Sequence, residues 1–313
     1  MVAKKKRVTK PPASPRLRKL LLQRRTGEDI DREIERRLKV HRERVAKLRK
    51  APAKAYAVGA ARPVPLLLLA HGDSWFDYPL SGNGLSVRDT DAIAQLRRMG
   101  TVHPVIANLS HYGDATVDEM SLPKQRRMIE ALQDPDNWLG AGKPDAILVS
   151  GGGNDIAGDR FCIFLDYAGP GATGLNRLRF VKSLGMVEAS YRDLFAFRDR
   201  YAPGVPIFGH CYDFAIPDAR HPPCAGPWLK PSLDYAGWDV AQGTLIVRQA
   251  LQEFRSMLAA LAAEPANRFT LVETQGLFVA RDWANELHPY PAGFRLVAQK
   301  FLEALRLAFP NRI

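Results

Sequence analysis

Five short apolar runs, each followed by a stretch of helix length, constrain this chain more than any other feature. They lie at residues 66–70, 104–109, 146–150, 205–210 and 269–273. The intervening segments near 90–99, 116–132, 178–201, 239–263 and 291–308 carry helical spacing of apolar residues. Apolar runs this short, without polar alternation, suit strands covered on both faces. Strands that alternate with helices build a parallel sheet between two helical layers. The expected fold class is therefore a three-layer α/β/α sandwich around a central, mostly parallel five-stranded sheet. In such sheets ligands bind beyond the carboxyl ends of the strands, so the residues following each run are the informative ones.

The first run ends in His71-Gly72-Asp73-Ser74. Glycine tolerates the sharp turn that would deliver a serine to the sheet edge, and a serine held there is a nucleophile if a base reaches it. The second run leads into Asn108-Leu109-Ser110-His111-Tyr112-Gly113-Asp114, where Gly113 could turn a bare N–H toward a ligand. The third leads into Ser150-Gly151-Gly152-Gly153-Asn154-Asp155. Its glycines allow close backbone approach, and Asn154 offers an uncharged N–H donor. No Gly-Lys-Ser/Thr follows and the spacing is not G-x-G-x-x-G, so neither nucleotide-binding loop is matched. Near the end, Asn285-Glu286-Leu287-His288-Pro289 precedes a helix expected from Pro291, and a histidine in that position can act as a general base.

Taken together and in this order, the four blocks resemble those of the SGNH/GDSL hydrolases, over roughly residues 64–308. The resemblance implies a flavodoxin-like SGNH hydrolase fold and a serine esterase or lipase working through an acyl-enzyme. It implies Ser74 as nucleophile and His288 as base. The backbone N–H groups of Ser74 and Gly113, with the Asn154 side chain, would form the oxyanion hole. Asp73 and Asp155 are read as structural. The family's acid stands three residues before the histidine, and here that residue is Asn285. An asparagine can orient the imidazole but carries no charge to stabilise its protonated form. Asp282, Glu286 or a backbone carbonyl are the alternatives for that partner. No metal and no cofactor are called for. The substrate would be a small-molecule, lipid or carbohydrate ester. Alternatives are an O-acyl deacetylase or acyltransferase on the same site, or a catalytically weak binding protein tethered by a basic arm.

That arm is residues 1–55, ahead of a hydrolase domain at 56–313. It holds 20 Lys/Arg against 6 Asp/Glu, whereas the remainder holds 25 against 27, so the net charge of +12 belongs to the arm. Residues 1–26 read as disordered, 27–50 as a helix with a narrow apolar stripe entered at Thr26, and 51–65 as a linker. Weak contact with a polyanion, nucleic acid or an anionic membrane, is expected of such a segment; a solvated tail is the alternative. Cys162, Cys211 and Cys224 have no metal-ligand spacing. Without a long apolar run or a signal-peptide core, a cytoplasmic protein is expected. Two long segments, 161–176 and 213–238, fit neither strand nor helix and read as binding walls or surface insertions.

Overall fold

The computed structural model describes residues 15–56, 64–78, 91–219, 226–310 and 312–313, with side chains of the first segment described over 27–50. Five strands, β1 (Leu67–Gly72), β2 (Val105–Asn108), β3 (Ala146–Ser150), β4 (Ile207–His210) and β5 (Phe269–Val272), form one sheet in the order 2-1-3-4-5. Every pairing is parallel; Leu68 sits beside both Ile106 and Ala146. β1, β2, β3 and β4 are buried at every position, as their unbroken apolar character requires.

Nine α-helices surround the sheet among the described residues: α1 (Pro15–Tyr56), α2 (Ala92–Leu96), α3 (Thr116–Glu119), α4 (Leu122–Gln133), α5 (Gly153–Ile156), α6 (Arg177–Tyr201), α7 (Lys230–Tyr235), α8 (Val240–Ala263) and α9 (Pro291–Ala308). Register shows that they lie on both faces. Phe269 pairs with Ile207 and contacts Tyr191 and Phe195 of α6, while His210, of opposite parity, contacts Phe301 of α9. The three-layer expectation holds.

Three readings of the elements need correction. The helix expected over 116–132 is two helices, α3 and α4. Pro123 in the first turn of α4 would clash with the Glu119 carbonyl in a continuous helix; that carbonyl instead meets His71 Nε2 at 2.9 Å. The segment 213–238 contains α7, and 161–176 begins inside a 3-10 turn, Asp159–Phe164. α1 runs far beyond 27–50, so residues 15–26 are helical and Thr26 lies inside the helix. Pro15 occupies the first helical position, and the Lys and Arg that made the segment look disordered are, like its Leu and Gln, strong helix formers. Residues 51–56, read as linker, continue α1; residues 1–14, 57–63 and Cys224 lie outside the described residues. Cys162 and Cys211 are free thiols.

α1 packs against β2 and against the 3-10 turn Pro135–Asn137. Ile34, Leu38 and Val45 are buried there, and His41 Nε2 meets the Asn137 carbonyl at 2.8 Å. Among the described residues, no helix is long and apolar enough to cross a membrane.

Candidate active site

β1 ends on a glycine because nothing larger fits. Gly72 has φ +152°, and a Cβ there would lie 2.3 Å from the Ser150 carbonyl oxygen. The chain then turns, with Asp73 N–H donating to that same carbonyl at 2.9 Å, and Ser74 stands at the tip. His288 arrives from the loop between β5 and α9. Its Nε2 lies 2.7 Å from Ser74 Oγ, and its Nδ1 lies 3.1 Å from Asn285 Oδ1.

The tautomer follows from the donor inventory. Asn285 Oδ1 can only accept; it takes the N–H groups of Leu287 and His288 at 2.9 and 2.8 Å, and then the imidazole Nδ1–H. Nε2 is left as the acceptor facing the serine hydroxyl. Asn285 Nδ2 donates to the Tyr78 hydroxyl at 3.1 Å. Burial pushes the His288 pKa down from 6.5 to about 3, so the imidazole is a neutral base through the physiological range.

The other two carboxylates considered as partners are engaged elsewhere. Glu286 is buried and accepts the N–H groups of Ala219, Trp228, Leu229 and Lys230. It thereby pins the segment entering α7. Asp282 accepts the Val279 N–H at 2.9 Å. Among the described residues, the side chain on His288 Nδ1 is Asn285.

The glycine loops surround this pair. At Gly152 φ is +116° and a Cβ would meet the Phe254 ring at 2.4 Å; at Gly151 it would meet the Glu119 carboxyl at 2.5 Å. The loop therefore closes directly onto α8 and α3. It ends at Asn154, whose Nδ2 donates to the Asp114 carbonyl at 2.9 Å. Asp155 accepts the Thr116 N–H and hydroxyl, both at 2.9 Å. These bonds tie the Asn154 turn to the Gly113 loop, where Gly113 has φ +82°. Asn154 lines the same cavity as Ser74 and His288; Gly113 does not.

Beneath Ser74 lies a network that sequence reasoning missed. Asp73 is buried and accepts from the Ser150 and Tyr212 hydroxyls, both at 2.6 Å, and from the Trp75 N–H at 3.0 Å. Ser150 Oγ in turn meets His210 Nε2 at 2.9 Å. Burial raises the Asp73 pKa to about 6 against those three donors and lowers that of His210 to about 3. Ser150 and His210 close strands, and only the parity of β3 and β4 signals that they share a face. Tyr78, four residues beyond Ser74, carried no signal.

The cavity beside Ser74 has apolar walls, including Phe161 from the 3-10 turn, Ala215 and Leu229 from the segment 213–238, and Val247 and Leu251 from α8. Both unassigned segments thus supply walls of this cavity. No lysine or arginine among the described residues lines it. Among the described residues, no cluster of His, Cys, Asp and Glu is arranged to hold a metal ion.

A parallel sheet with a Gly-Asp-Ser turn, a glycine loop, a Gly-x-Asn-Asp turn and a His-Pro loop at one edge is the fold of the SGNH/GDSL hydrolases, which the sequence blocks resemble. A solved structure shares it, and others are similar to lesser degrees. The lipase Lip_vut3 from a goat rumen metagenome matches with a TM-score of 0.50 at 15% identity, over 76% of this chain and 97% of its own. An extracellular lipase from Streptomyces rimosus matches at 0.47 and 16% identity, over 74% and 97%. A lipase/acylhydrolase from Enterococcus faecalis matches at 0.41 and 15% identity, over 77% and 95%. No family model matches the sequence, and no curated protein does. At these identities the likeness is one of fold.

Proposed function

We propose that this protein is a serine hydrolase that cleaves carboxylic esters through an acyl-enzyme. The observation that carries the reading is the chain Ser74 Oγ, His288 Nε2, His288 Nδ1, Asn285 Oδ1, at 2.7 and 3.1 Å. Ser74 Oγ attacks the ester carbonyl carbon while its proton passes to His288 Nε2. The carbonyl oxygen becomes an oxyanion facing the Ser74 N–H and the Asn154 amide, both on the cavity wall, while Gly113 stands outside that lining. That amide has two N–H bonds, and the Asp114 carbonyl takes one. Collapse breaks the carbon–oxygen bond to the alcohol, which leaves with the proton from His288. Water then attacks the acyl group, His288 takes its proton, and the acid departs as Ser74 is restored.

A cavity whose described walls are apolar, such as Phe161, Leu229 and Leu251, suits an uncharged acyl or alcohol group. Hydrolysis of p-nitrophenyl acetate, butyrate and octanoate tests the proposal. Activity should vanish in Ser74→Ala and His288→Ala, and Asn154→Ala should lose about a hundredfold in kcat. Equal rates in the wild type and Ser74→Ala would remove the reading. The neutral Asn285 favours one rival, a weakly catalytic binding protein, which that last outcome would support.

A further inference from the structure

A base that accepts a proton from serine becomes a cation, and in a buried site that cation needs compensation. Asn285 supplies none. Among the described residues, the carboxylates on the elements around His288 are committed to other partners. Asp73 holds Ser150 and Tyr212; Asp77 is paired with Arg37 at 2.6 Å; Asp213 holds the N–H groups of Gly276 and Phe278; Asp282 and Glu286 hold backbone N–H groups, as described above. What faces the imidazole instead is aromatic. The Tyr78 ring centroid is 4.6 Å from that of His288, and Trp228 is at 5.7 Å. The Tyr78 and His288 rings are tilted by 49° to one another, and a cation within about 6 Å of an aromatic centroid is attracted when it lies toward the ring face.

Tyr78 also touches the partner of His288, through the Asn285 Nδ2 bond to its hydroxyl. It is buried, and it stands on the same turn that delivers Ser74. One segment therefore carries the nucleophile and a ring placed against the base. We propose that Tyr78 is a positioning residue for His288: its hydroxyl holds the Asn285 amide, and its ring stabilises the imidazolium in place of the charge a carboxylate partner would provide. The inference rests on the serine-hydrolase reading and adds to it a residue outside the four sequence blocks.

A phenolic hydroxyl both donates and accepts. Tyr78 can therefore serve an aspartate at position 285 by reversing its bond, which makes Asn285→Asp a compatible substitution and a rescue test. Tyr78→Leu should lower kcat about tenfold with KM little changed, because the imidazolium exists only along the reaction path. Tyr78→Phe, which keeps the ring, should lose about threefold or less. In the Asn285→Asp background, adding Tyr78→Leu should cost clearly less than in the wild type, since the charge is then supplied twice.

The deciding readout does not need turnover. Nitrogen-15 NMR of the imidazole at about pH 4 reports the protonated fraction of His288. If the ring stabilises the cation, Tyr78→Leu lowers that fraction. If Tyr78 only fills space, leucine admits water and the fraction rises toward that of an exposed histidine. An unchanged or larger fraction overturns the proposal, even with Ser74-dependent hydrolysis intact. A lowered fraction in a protein whose ester cleavage does not depend on Ser74 overturns the hydrolase reading, and with it the role of Tyr78 in that reaction.

Discussion

At the scale of single residues, the site is defined by one neutral side chain where a charge was expected. Asn285 fixes the tautomer of His288 through an oxygen that accepts three N–H groups. In serine proteases the change from Asp to Asn at the equivalent place costs about 10⁴ in kcat, because the wrong tautomer is held. Here the backbone N–H groups hold the amide in the productive orientation, so only the charge is missing. Asn285→Asp should raise kcat by about tenfold, read with the same nitrophenyl esters. The pH profile follows from burial. A histidine whose pKa is lowered from 6.5 to about 3 stays neutral as the pH falls through 6.5. The kcat/KM of the wild type should therefore hold through pH 6 and fall only toward about 3, and Asn285→Asp should move that acid limb upward. An acid limb near 6.5 in the wild type would contradict a buried, neutral base. Ser74, Asn154, His288 and the odd residue Asn285 could be singled out because each sits near a strand or helix end; Gly113 was singled out on the same ground but does not line the cavity. Tyr78, His210 and Tyr212 were not, because their meaning lies in contacts made across the fold, such as the 2.6 Å bond from Tyr212 to Asp73.

At the scale of elements, α1 is the segment whose behaviour composition misrepresents. Its charge suggests an arm that could be cut away, but its apolar stripe of Ile34, Leu38 and Val45 is buried against the body. Arg37 donates to the Ser110 carbonyl at 3.0 Å and to Asp77 at 2.6 Å. Those acceptors stand three residues before Gly113 and three after Ser74, so one side chain of α1 joins the two loops that frame the site. Arg49 donates to the Trp138 carbonyl at 2.8 Å and pairs with Asp136. Part of the basic charge is thus spent on the body of the protein. Leu38→Ala should destabilise the fold by about 2–3 kcal/mol in urea unfolding. Arg37→Ala should lower kcat about threefold or more with a smaller loss of stability, by loosening both loops. Full stability after deletion of residues 1–55 would show that α1 is an accessory. The stripe itself was visible in the spacing of Ile30, Ile34 and Leu38. What it packs on was not, since no local pattern encodes a partner. α7 escaped notice for another reason: six residues are too few to show a helical period.

At the scale of the whole molecule, the fold was the most legible feature, because five short apolar strands, four of them wholly buried, leave little choice of architecture. All five are where the apolar runs placed them, and their parallel order brings the ends of β1, β2 and β3 side by side. That adjacency converts three separated sequence blocks into one site, and the loop before α9 adds the fourth. Glycine tightens the arrangement where the elements touch. Gly152→Ala would drive a methyl group into Phe254 and strain a φ of +116°, so it should abolish ester cleavage and lower thermal stability together. The central claim is that Ser74 is a nucleophile activated by His288. Its most direct test is to treat the protein with a fluorophosphonate, weigh the intact chain and map the adduct by peptide mass spectrometry. The account predicts a single adduct on Ser74, absent in Ser74→Ala and strongly slowed in His288→Ala. No adduct, or an adduct whose rate does not depend on His288, would contradict it.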